Sequence, residues 1–105
     1  MQSITVQELK KLLESKANFQ LIDVREANEY EIANLQGELI PLGEIITRAE
    51  EIKKDVQVII HCRSGARSAA AIKALETQLG YTNLFNLTGG ILAYAQEIDP
   101  SLTSY

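Results

Sequence analysis

Apolar positions along this 105-residue chain switch repeatedly between short unbroken runs and helical spacing. The segment Thr5-Val6-Gln7-Glu8 has capping-box form: a Thr oxygen can take a backbone N–H, and a Glu three residues on can reach back. Leu9, Leu12 and Leu13 follow at helical spacing and predict a first helix over residues 6–15. Residues 19–24 read as a strand, and 25–32 as a short helix whose acidic first turn suits the helix dipole. Gly37 marks a turn, 38–40 can be only a short strand before Pro41, and Leu42, Ile45, Ile46 and Ala49 supply the stripe of another helix. Residues 56–61 are β-branched and read as a buried strand. Ala69, Ile72, Leu75 and Leu79 then recur at helical spacing until Gly80 closes the turn, predicting a helix over 66–79. A last strand at 84–87, a tight Gly89-Gly90 turn and a helix over 91–98 complete the pattern.

Strands alternating with helices imply an α/β fold built from βαβ units, with a parallel sheet covered by helices on both faces. In such sheets ligands bind outside the carboxyl ends of the strands. Asp23 and Cys62 both fall at such ends. No internal repeat, low-complexity stretch or linker interrupts the pattern, so residues 1–105 are expected to form one domain.

Composition narrows the function. A hydrophobic content of 46% is enough to bury a core without disulfides. The single cysteine cannot pair within the chain, and a free thiol points to a reducing, cytoplasmic compartment. Neither a signal-peptide pattern nor an apolar run of membrane-spanning length is present, so no membrane association is expected. The net charge of −4 argues against a nucleic-acid surface. Residues 26–51 hold seven glutamates, most simply a solvated face, whereas two arginines flank Cys62 within six residues.

That local positive charge lies in Cys62-Arg63-Ser64-Gly65-Ala66-Arg67-Ser68, between an apolar strand and a helix. Backbone N–H groups at a helix N-terminus favour an anion, and with Arg63 and Arg67 they are expected to lower the thiol pKa of Cys62. A buried structural thiol is the alternative, but the arginines and the flexible Gly65 would be costly around an inert sulfur. His61 suggests a Cys–His dyad; alternation along the strand instead turns it away from the Cys62 sulfur, as a packed or hydrogen-bonded side chain. One histidine adjacent to one cysteine makes no familiar zinc site.

Asp23-Val24-Arg25-Glu26, Glu29-Tyr30, the Cys62 loop and Leu87-Thr88-Gly89-Gly90 together resemble the rhodanese family of sulfurtransferases over nearly the whole chain. The resemblance implies a five-stranded parallel sheet, and a Cys62 that accepts sulfur as a persulfide in a loop, Arg63 to Ser68, whose amides cradle it. It also implies no metal or organic cofactor, and a small sulfur donor such as thiosulfate or a persulfide protein. Asp23 resembles the family aspartate at the edge of the site and Arg25 the arginine beside it, paired with Glu29. Helix capping by Asp23 is an equal alternative. Three departures stand out: Ala33-Asn34 replaces a usual Gly-His, the stretch from Gly37 to Pro41 is one residue short, and Tyr94 replaces a tryptophan.

Gly89 to Tyr94, Ile98-Asp99-Pro100 and the final Tyr105 resemble the rhodanese domain appended to adenylating enzymes. The partners this implies are a ubiquitin-like sulfur carrier or an adenylating enzyme. Two rivals remain. A Cys-loop phosphatase or arsenate reductase would need five residues between Cys and Arg, whereas four lie between Cys62 and Arg67. A non-catalytic binding module would have no use for Cys62, Arg63, Gly65 and Arg67 together.

Overall fold

A computed structural model describes residues 1–102. Its elements are β1 (Gln2–Ile4), α1 (Val6–Ser15), β2 (Phe19–Asp23), α2 (Ala27–Ile32), β3 (Glu38–Leu39), β4 (Gln57–His61), α3 (Ala66–Leu79), β5 (Leu84–Leu87) and α4 (Gly90–Glu97). The five strands form one sheet in the order β1-β5-β4-β2-β3, with every pairing parallel. The parallel α/β arrangement is the one expected from the alternating pattern, the five strands are the number the family resemblance implies, and β4 lies at the centre.

Period-two alternation distributes the core over both sheet faces. Ile22 and Val24 join Val58 and Ile60 beneath Ala71, Ile72 and Leu75 of α3. Leu21 and Ile59 point the other way, against Val6 and Leu9 of α1 and Ala93 and Tyr94 of α4. Tyr94 therefore keeps the apolar anchoring expected of an aromatic residue there. The capping box at Thr5 forms, with Glu8 N donating to Thr5 Oγ1 at 3.1 Å and Thr5 N to Glu8 Oε1 at 3.0 Å.

Two expectations need correction. β1 has no periodic signal, since Gln2 and Ser3 are exposed and only Ile4 is buried; it exists because β5 pairs with it, Ser3 opposite Asn86. The helix expected from Leu42 to Ala49 is instead two 3-10 turns, Leu42–Glu44 and Ala49–Glu51. Gly43, inside the expected span, disfavours continuous helix there. The stripe still serves its purpose, because Ile45, Ala49 and Ile52 are buried over the sheet.

Candidate active site

Cys62 follows β4 directly and is 1% exposed. The chain then turns through exposed Arg63 and Ser64 to Gly65, whose φ of 121° is rarely open to other residues, and α3 begins at Ala66. The turn brings the Gly65 amide to 3.1 Å from Cys62 Sγ, and Ser68 Oγ lies 3.4 Å from the same sulfur. Burial pushes the thiol pKa up, but hydrogen bonds from the Ser68 hydroxyl and the amides of Ser68, Gly65 and Ser64 outweigh it and hold it below its ordinary value. The amides and one hydroxyl supply the hydrogen bonds that favour the thiolate, and the Arg67 guanidinium adds a favourable charge interaction with the sulfur.

Arg67 makes a two-pronged contact with Glu29, at 2.7 and 2.8 Å. That contact holds the Glu29 carboxyl at a pKa of about 2. Glu29 thus pairs with Arg67, contrary to the expected partnership with Arg25. The guanidinium of Arg25 is fully buried and grips Asp23, with Nε 3.0 Å from Oδ1 and Nη2 2.8 Å from Oδ2. It also donates to the Ala33 carbonyl at 2.7 Å, tying down the chain just past α2. Asp23 does not cap α2; its Oδ1 accepts the Arg25 amide at 3.0 Å in a turn ahead of the helix.

Asp23, Arg25, Glu29 and Arg67 therefore form a chain of contacts. A buried ion pair fixes α2, α2 carries Glu29, and Glu29 holds Arg67 on the first turn of α3. Asn34, at one of the departures, occupies the end of this segment; its Nδ2 donates to the Tyr30 carbonyl at 3.1 Å, and its Oδ1 accepts from Gln36 N at 2.8 Å. Those bonds satisfy groups left open at a helix end.

His61 is fully buried and turned from the sulfur, as alternation predicts. Its Nδ1 lies 3.2 Å from the Cys62 carbonyl oxygen, while Nε2 has no hydrogen-bond partner among the described residues and stands 3.6 Å from Asp23 Oδ2. Burial pushes its pKa down, against the raising pull of Asp23.

One contributor escaped sequence reasoning, and another was read there only as a turn. Asn86 on β5 reaches both Ser68 Oγ, at 2.6 Å, and the Gly65 carbonyl, at 3.2 Å. A polar residue inside the apolar run Leu84-Phe85-Asn86-Leu87 was the available signal. The Gly89-Gly90 turn is more than a turn. It sets the N-terminus of α4 against the loop, where Ile91 N donates to the Cys62 carbonyl and Leu92 N to the Arg63 carbonyl, each at 3.0 Å. With those carbonyls engaged behind the loop, the amides on its other side face the sulfur. Two surface grooves of about 320 and 280 Å³ share Leu13, Leu35 and Gln36, and no residue of the Cys62 loop lines either.

A five-stranded parallel sheet with a cysteine loop between its central strand and the following helix places this chain in a defined class. Residues 5–97 match the model of the rhodanese-like domain, and the chain belongs to that family. It is 43% identical over 93 residues to the rhodanese-like/PpiC domain-containing protein 12 of Arabidopsis thaliana chloroplasts, covering 82% of this chain and 30% of that one. It is 35% identical over 107 residues to the probable adenylyltransferase/sulfurtransferase MoeZ of Mycobacterium tuberculosis, covering 98% and 27%. The chain thus spans less than a third of the length of either relative. A solved rhodanese-like domain protein of Staphylococcus aureus superposes with a TM-score of 0.83 at 32% identity, covering 98% of this chain and 97% of that one. Among the described residues no helix is long and apolar enough to cross a membrane. Tyr105, part of the tail resemblance, lies outside the described residues.

Proposed function

We propose that this chain is a sulfurtransferase domain in which the Cys62 thiolate takes a sulfane sulfur from a donor, holds it as a persulfide and yields it to a nucleophilic acceptor. The observation that carries this reading is the Cys62 sulfur at the carboxyl end of the central strand, 3.1 Å from the Gly65 amide, in a loop with four residues between Cys62 and Arg67. A loop this short suits a single sulfur atom better than a tetrahedral oxyanion. The sulfurtransferase activity in the name of the mycobacterial relative supports the same class of chemistry.

With thiosulfate as donor, the thiolate attacks the sulfane sulfur, the S–S bond of thiosulfate breaks, and sulfite leaves with the electron pair. Cys62 then bears a terminal S–S⁻. Cyanide or another thiophile attacks that terminal sulfur, and the bonding pair returns to Cys62 as thiolate while thiocyanate departs. Both steps conserve electrons, so no external oxidant is consumed. The amides that favour the thiolate are also suited to the charge carried through the exchange.

Arg63 is exposed and makes no ion pair with another described residue, which suits it to meet an acidic acceptor. The acceptor this reading favours is a ubiquitin-like carrier activated by adenylation, on the strength of the similarity to an adenylyltransferase/sulfurtransferase. Intact-mass spectrometry tests the core of the proposal. Thiosulfate should add one sulfur atom to the wild type, cyanide should remove it, and Cys62→Ser should gain none. Continued sulfur transfer by Cys62→Ser, or hydrolysis of an aryl phosphate without any sulfur gain, would overturn it.

A further inference from the structure

The geometry points to Asn86 as a positioning residue that holds the Ser68 hydroxyl away from Cys62 until the sulfur ionises, and so sets the acidity of the nucleophile. The inference rests on the reading of Cys62 as that nucleophile. Asn86 lies on β5 beside the central strand, opposite Ile60. Its amide has one determined orientation, because the Gly65 carbonyl 3.2 Å away can only accept, so the NH₂ faces Gly65. The amide oxygen then faces Ser68 Oγ at 2.6 Å and must accept its proton.

A serine hydroxyl has one proton to give. With that proton on Asn86, the only bond open between Ser68 and the thiol, at 3.4 Å, is S–H donating to Oγ. The Gly65 carbonyl is also 3.1 Å from Ser68 Oγ, but it already accepts from Ala69 N and from Asn86. When Cys62 ionises, its proton leaves to solvent and the sulfur becomes an acceptor. The Ser68 hydroxyl keeps its own proton and turns it from Asn86 to the sulfur, forming a charge-assisted bond. Each ionisation therefore forfeits the 2.6 Å bond to Asn86, which acts as a brake on thiolate formation.

The other charged or titratable groups around Cys62 are Arg67 on α3 with Glu29 of α2, Asp23 on β2 with Arg25, His61 on β4, and Arg63 in the loop. None changes in the variants below, so their influence is common to all of them.

The test is the pH–rate profile for alkylation of the single cysteine by iodoacetamide, which involves no sulfur donor. Asn86→Ala should move the midpoint to lower pH, with the ionisation constant rising about two- to tenfold, the worth of one ordinary hydrogen bond. Ser68→Ala should move it to higher pH, and Asn86→Ala should add nothing in the Ser68→Ala background. Asn86→Asp sets a carboxylate near the sulfur and raises the midpoint by charge repulsion whatever the hydroxyl does, so the cycle with Ser68→Ala carries the test. An Asn86→Ala midpoint that moves to higher pH overturns the inference. So does an unmoved Asn86→Ala midpoint, or a shift that persists undiminished without Ser68. Failure of wild-type sulfur loading with these shifts intact would remove the sulfurtransferase reading and leave the brake standing.

Discussion

Gly90 offers the sharpest test of how the fold builds the loop. A Cβ at this position would lie 2.5 Å from the Arg63 carbonyl oxygen, 2.6 Å from that of Cys62 and 2.7 Å from the Arg63 carbonyl carbon. Ordinary carbon contacts begin at about 3.5 Å, so the added methyl would stand roughly an ångström too close to rigid backbone. Gly90 also has a φ of 60°, which itself costs an alanine about 1 kcal/mol. Gly80 isolates that second effect: its φ is 72°, and an added methyl would meet nothing within 4 Å. Gly43→Ala is a control for both, since that position has open space and no unusual φ.

Gly80→Ala should therefore lose about 1 kcal/mol, whereas Gly90→Ala should lose about 2–4 kcal/mol once overpacking is added. In a domain of this size those losses lower the Tm by about 5 °C and about 10–20 °C respectively, with Gly43→Ala close to wild type. Differential scanning calorimetry measures all three. Gly90→Ala should also slow alkylation of Cys62, because accommodating the methyl pulls the Cys62 and Arg63 carbonyls off Ile91 N and Leu92 N and disorders the amide cradle. Equal Tm losses for Gly80→Ala and Gly90→Ala, or unchanged alkylation in the latter, would refute the argument that α4 braces the loop from behind.

Two further predictions concern pH. Glu29 is held at a pKa of about 2 by Arg67, while an unfolded glutamate titrates near about 4.3, so the bridge stabilises fully above that value and is lost as pH falls toward 2. Arg67 is partly exposed, which limits the contribution to about 1–2 kcal/mol; urea midpoints should be lower for Glu29→Gln at neutral pH and converge on wild type near about pH 2, and parallel curves would contradict the assignment. His61 is buried with its pKa pushed down, whereas an unfolded histidine titrates near about 6.5, so wild-type stability should be complete above that pH and fall as the solution is acidified below it. Between about pH 6.5 and 5, above the range where Glu29 titrates, His61→Gln should lack this decline; an equal decline in the variant would show that the imidazole is not buried in neutral form.

Local sequence carried much of this protein's design. The capping box at Thr5, the helical spacing from Ala69 to Leu79 closed by Gly80, and the β-branched run before His61 act over a few residues, and each produced its expected element. The Cys62 loop was legible for the same reason: a thiol between a buried strand and a helix start is defined by adjacent residues. Strand β1 was not, because three residues with two exposed side chains become a strand only when β5 offers its edge. The segment from Leu42 to Glu51 kept its apolar spacing yet not its helix, since burial over the sheet needs the side chains and does not require one continuous helix beneath them.

Side-chain partnerships across elements depended wholly on the tertiary structure. Arg25 is four residues from Glu29, but Asp23 claims its guanidinium, and Glu29 turns to Arg67, thirty-eight positions away. Asn86 and Gly90 belong to the site through strand order alone, since β5 lies beside β4 and sends α4 back against the loop. The type of chemistry could be read from neighbours in sequence because nucleophile, glycine and helix start must be contiguous to build an anion cradle. What tunes and braces that cradle comes from distant segments, and hydrogen bonds and ion pairs select partners by position in space, which the chain acquires only when the sheet is assembled.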